Sequence, residues 1–182
     1  GAARPAARGR RADYAEIMRL LRSNRALPAD VRAALDLPRG DRVLAAAPTR
    51  GGSHVVATAR ALYVPTVDGL TRVPWEQVDQ ASWKDGWLHV HETMGGPEHH
   101  VRLTEPGSVP ETVRERVTST VAVSHHAELP NGGGVRIAGR RAPGGGEVRW
   151  TFVFDPGLDP KDPGLRAQAE QVLEDLRRQT GL

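Results

Sequence analysis

Residues 75–92, WEQVDQASWKDGWLHVHE, hold three of the four tryptophans and two of the seven histidines of this 182-residue chain. Apolar and polar residues alternate on both sides of Lys84-Asp85-Gly86, and Asp-Gly tolerates the positive φ that a tight hairpin turn requires. The stretch therefore reads as two antiparallel strands. Because successive strand side chains point to opposite faces, Leu88 and Val90 go to one side and Trp87, His89 and His91 to the other. The first face is the one a core would claim.

The two-residue period continues outward. Expected strands span 42–47, 53–59, 61–65, 70–74, 78–83, 87–92 and 99–104, separated by Thr49-Arg50-Gly51-Gly52, Asp68-Gly69, Asp85-Gly86 and Gly95-Gly96-Pro97. Upstream, Asp13 suits a helix N-cap, and Tyr14, Ile17, Met18 and Leu21 follow at i, i+3, i+4 and i+7. A second short helix is expected over 28–37, with Val31, Ala34 and Leu35 inward.

Downstream, Ser108 and Glu111 fit a capping box, but residues 110–126 carry two periods at once. Val113, Val117 and Val121 make a helical stripe, whereas Val117, Ser119, Val121 and Val123 alternate as in a strand. A hairpin of 135–141 with 147–154 turns at Pro143-Gly144-Gly145-Gly146 and sets Trp150, Phe152 and Phe154 on one face. Asp162 as N-cap and Pro163 in the first turn start a final helix, with Leu165, Ala169, Val172, Leu173 and Leu176 aligned.

Composition agrees with many short elements. Glycine and proline make 34 residues and hydrophobic residues 38%, which favours a mainly β chain rich in turns. The absence of cysteine excludes disulfide frameworks, thiolate nucleophiles and Cys-based metal sites. No apolar run approaches the roughly eighteen residues of a membrane span, and no apolar signal core opens the chain, so a cytoplasmic location is expected. Charge is uneven. Residues 1–32 carry eight arginines against Asp13, Glu16 and Asp30, a net of +5 in a chain whose total is +3, so the remainder sums to −2. Basicity belongs to a tail, expected to be disordered over 1–12 and followed by a helical arm over 13–37.

Seven short antiparallel strands followed by one helix is the order of a pleckstrin-homology (PH) fold. DRVLAAAP (41–48), VVATARALYV (55–64), TRVPWEQVDQASW (71–83) and PETVRERVTSTV (110–121) resemble small PH-like proteins of high-GC bacteria, over about residues 28–126. The resemblance implies an α+β, mainly β chain. Its centre is a PH-like antiparallel sandwich or barrel of about seven strands over 38–126, ending in a capping helix over 110–126, with a hairpin and helix of 127–182 packed on it. It also implies that the Trp-Glu-x-Val stretch at 75–78 is a core strand, and that the role is binding or assembly without catalysis. Pro48-Thr49-Arg50-Gly51-Gly52 lacks the basic pattern with which eukaryotic PH domains hold phosphoinositides, so lipid headgroup binding is not expected.

Candidate site residues fall in three groups. Inward Val101 and Leu103 turn His100 outward; for both apolar pairs to share a face, paired residue numbers must sum to an odd value, as in His91 opposite His100. His89, His91 and His100 then share a patch that could hold Zn²⁺ with one position open to water, with Glu92 or Glu98 to orient an imidazole. His99 has the wrong parity. Trp75, Trp83 and Trp150 are expected in the core, and Trp87 either under the last helix or in a partner-binding patch. His125 and His126 are expected at a helix C-terminus. Arg4, Arg8, Arg10 and Arg11 can neutralise phosphates but have no interleaved aromatics for stacking bases. Nucleophile-elbow, zincin, Walker and EF-hand patterns are absent. The expected function is a non-catalytic interaction module without a cofactor, contacting a protein through Tyr14, Ile17, Met18, Leu21 and Trp87. Nucleic-acid association through the tail is the alternative, and a metal-dependent histidine site the third reading.

Overall fold

The computed structural model describes residues 27–130 and 132–182, which form three antiparallel sheets and three α-helices, an α+β chain that is mainly β. Tyr14, Ile17, Met18 and Leu21, together with Arg4, Arg8, Arg10 and Arg11, lie outside the described residues. The seven expected strands are all present. Strands β1 (Val43–Pro48), β2 (His54–Thr58), β3 (Ala61–Thr66) and β4 (Gly69–Pro74) form the first sheet in that order. Strands β5 (Val78–Lys84), β6 (Trp87–Glu92) and β7 (Glu98–Arg102) form the second. Asp85 (φ 51°) and Gly86 (φ 82°) both take positive φ in the two-residue β5–β6 turn, as a type I′ hairpin requires.

The first two sheets enclose one core. Ala45, Val55, Leu62, Val64 and Val73 from the first meet Leu88, Val90, Val101 and Leu103 from the second and its end, all buried. Neither sheet closes into a barrel; they are tied at one corner by the Thr49–Leu103 bridge and by Arg50 N–H donating to Arg102 O at 2.9 Å. Helix α1 (Ala29–Leu35) lies on the opposite face of the first sheet, with Leu27 and Leu35 packed on Val56, Ala61 and Tyr63. Ala34 is exposed, against expectation, because the i, i+4 pair Val31 and Leu35 makes the contact of this single-stripe helix.

Trp75 and Val78 are core, but strand begins only at Val78. Trp75–Gln77 is a 3₁₀ turn at the crossover between sheets, and Trp75 and Val78 are both fully buried. Residues three apart share a side in a 3₁₀ turn and oppose one another in a strand, so the turn is what lets both enter the same core. The Trp75 indole N–H donates to Thr58 O at 2.9 Å. Trp83 does not anchor the core. It pairs with Leu88 on the inward side, but at the strand end, where it is 37% exposed beside Pro110 and Arg114.

Helix α2 (Val109–Ser119) covers the end of the shared core with Val109, Val113 and Val117. It stops well short of residue 126: Val121–Glu128 is strand β8, paired with β9 (Gly134–Arg140), which pairs with β10 (Arg149–Phe154). The β-branched run after Thr120 prefers the open edge of β9 to another helical turn. His125 and His126 are therefore exposed strand residues and not helix-terminal ones, with His126 Nε2 3.1 Å from Asp155 Oδ1. Helix α3 (Pro163–Thr180) forms as expected: the Asp162 carboxylate accepts from Gly164 N–H at 2.8 Å, and Ala169 and Leu176 are buried against Val135, Ile137 and Leu129. Trp150, Phe152 and Phe154 flank that cluster.

Arg140 joins the third sheet to the body. Only 7% exposed, its guanidinium donates to Val117 O (3.0 Å) and Thr120 Oγ1 (2.9 Å) in the last turn of α2, and to Asp79 O (3.0 Å) on β5. Burial holds its pKa below the ordinary arginine value, with the charge of Asp79 acting in the opposite direction. Arg140→Ala would remove all three bonds together with a buried side chain and is expected to cost about 2–4 kcal/mol in urea unfolding, with Arg140→Lys recovering only part because one ammonium cannot reach all three acceptors.

Candidate functional site

The outer face of β5–β6–β7 is a grid of cross-strand rows. Lys84 pairs with Trp87 and Trp87 with Arg102; Ser82 with His89 and His89 with His100; and Gln80 with His91 and His91 with Glu98. The alternate residues Leu88, Val90 and Val101 face the core and are buried, so the backbone under the grid is held from beneath.

Each row has its own chemistry. Trp87 is 37% exposed with the Arg102 guanidinium carbon 5.8 Å from its ring centre, a cation–π arrangement. The His89 and His100 rings meet edge to face with centroids 4.5 Å apart. His91 Nδ1 lies 3.2 Å from Glu98 Oε1, and His100 Nε2 lies 3.7 Å from Glu98 Oε2. One carboxylate thus serves two imidazoles.

Parity is as the sequence requires, since each of these pairs sums to an odd number, but the register differs by one two-residue step. His100 stands opposite His89 and not His91, whose partner is Glu98. The donors that converge are consequently His91, Glu98 and His100, with ligand atoms all within 4.8 Å of one another, in place of the three histidines. Glu98 was visible only as a carboxylate that could orient a ring. His99, at the other parity, is half-buried on the inward side with Nε2 2.7 Å from Glu92 Oε2.

Trp87 is not covered by α3, which lies on the third sheet. It opens instead on a groove of about 730 Å³ that runs past the β1–β2 and β3–β4 turns to α1 and includes Arg50, Arg102, His100 and Asp30. A second groove, about 640 Å³, lies between the β6 end of the face and the third sheet, and takes in His91, Glu98, Phe152, Phe154, Lys161 and Arg166. The histidine cluster borders both.

Comparison with protein-family models, with curated proteins and with solved structures found no match. No helix among the described residues is long and apolar enough to cross a membrane.

The contrast between tryptophans is measurable. Trp87→Ala is expected to change unfolding stability by less than about 1 kcal/mol, as an exposed substitution. Trp75→Ala, which empties the core and strands the Thr58 carbonyl, is expected to cost about 3–5 kcal/mol. Equal losses in chemical denaturation would contradict this division of the face from the core.

Proposed function

We propose that this chain is a non-catalytic, PH-like binding module that docks a protein segment on the outer face of its second sheet. The PH-like reading is supported by the order of the elements: a four-stranded sheet, a three-stranded sheet, then a helix over their common core. The observation that carries the binding reading is Trp87, lying on Arg102 in an uncovered strand pair at the mouth of a groove. Tryptophan and arginine dominate the energetic centres of protein interfaces, because a large rigid ring and a forked cation gain much on desolvation for little lost freedom. Arg50 and Arg102 outnumber Asp30 along this groove. The complementary segment offers an apolar side chain to the indole and a carboxylate to the two guanidinium groups.

Affinity capture from native cells with nuclease present tests this, using the full chain, Trp87→Ala and a chain starting at Leu27, which keeps α1 and the groove it lines. A protein partner retained by the first and third baits and weakened about 30-fold by Trp87→Ala, the loss of a hot-spot side chain worth about 2 kcal/mol, is the expected outcome. Equal retention by Trp87→Ala overturns the assignment of the surface. Capture that is lost with residues 1–26 and collapses with salt moves the function to Arg4, Arg8, Arg10 and Arg11, the nucleic-acid alternative.

A further inference from the structure

We propose that His91, Glu98 and His100 form a binding site for one divalent ion of the zinc class. The proposal does not rest on the docking of a protein at Trp87. Two imidazoles and one carboxylate are a donor set suited to Zn²⁺ and its neighbours in the transition series, whereas Ca²⁺ and Mg²⁺ prefer oxygen ligands and gain little from imidazole nitrogen. The donors already converge: Glu98 lies 3.2 Å from His91 Nδ1 and 3.7 Å from His100 Nε2, with all three ligand atoms within 4.8 Å of one another. Tetrahedral zinc with bonds near 2.0–2.2 Å places its ligand atoms about 3.3 Å apart, so binding needs only a small contraction by side chains that are 41%, 57% and 49% exposed.

What separates this cluster from scattered surface histidines is its support. Glu98 is the direct cross-strand partner of His91, and His100 is two residues further along the same strand, so all three project from one face of a paired ladder. Leu88, Val90 and Val101 anchor that ladder in the core. His89 packs edge to face on His100 and restricts its ring, a positioning role that does not require it to touch the ion. Three protein ligands leave a fourth position toward solvent, where the two grooves meet the cluster.

The test uses the untagged full chain, purified without an immobilised-metal column, titrated calorimetrically with Zn²⁺ and analysed for bound metal after dialysis. One Zn²⁺ per chain is expected, not displaced by excess Mg²⁺ or Ca²⁺. His91→Ala, Glu98→Gln and His100→Ala should each lower affinity about 10-fold or more with unchanged circular dichroism, while Trp87→Ala and the exposed control His126→Ala leave it unchanged. Metal content well below one per chain, or equal affinity in Glu98→Gln and the wild type, overturns the site. Because Trp87→Ala is expected to retain zinc, loss of the docking reading and loss of the metal reading show in different variants.

Discussion

One buried guanidinium determines how the last third of this chain meets the rest. Arg140 lies on the face of β9 that also carries Ala138 and Arg136, opposite Arg149, Thr151 and Val153 of β10. The opposite face of the same strands carries Val135, Ile137, Phe152 and Phe154 and is occupied by α3. The third sheet therefore has an apolar side for its own helix, while on the other side Arg136, Ser124 and His126 are exposed and Arg140 is the side chain that reaches the body. Three directed bonds from Arg140, to two groups closing α2 and one on β5, make that contact. Desolvation opposes the charge and lowers its pKa, so this contact is better understood as fixing an arrangement than as adding much net stability.

That arrangement decides which surfaces are covered. The first sheet is covered by Leu27 and Leu35 of α1 and its approach, the end of the shared core by α2, and the third sheet by α3. The outer face of β5–β7 receives none of these helices, and its residues are polar, aromatic or ionisable in every row. A sheet face left open among the described residues, with a buried apolar underside, combines accessibility with a stiff backbone. Those are the conditions under which side chains such as Trp87, His91 and Glu98 can be held for recognition at low entropic cost.

Much of this was legible from local pattern. Alternation located all seven strands of the first two sheets, parity divided Leu88 and Val90 from His89 and His91, and Asp85-Gly86 announced its turn. The end of α2 was not legible, because no glycine or proline marks it: Thr120 closes the helix with partners on Arg140, twenty residues away, and Arg141 N–H takes the Thr120 carbonyl at 2.8 Å. Trp75 was placed in the core correctly and in a strand wrongly, since burial does not reveal which backbone geometry achieves it. Trp83 shows the converse, an inward parity at the end of its strand, where it lies beside Pro110 and Arg114 of α2 and is still 37% exposed.

The composition of the candidate site turns on a subtler quantity. Parity permits any register in which paired numbers sum to an odd value, and steps of two residues keep every side chain on its face while exchanging its neighbours. The choice among those registers is made at Gly95-Gly96-Pro97. Gly96 N–H donates to Thr93 O at 3.1 Å and Glu92 N–H to Pro97 O at 3.0 Å, which closes the connection so that Glu98 follows directly opposite His91. A Cβ on Gly96 would stand 3.0 Å from Thr93 O and 3.2 Å from the Glu92 side chain, so the turn tolerates little there. On the inward side the Glu92–His99 contact at 2.7 Å spans the same turn and holds the same alignment. A histidine pair with one carboxylate, rather than a histidine triplet, is therefore the consequence of a loop geometry, and the identity of the donor set rests on residues that donate nothing to it.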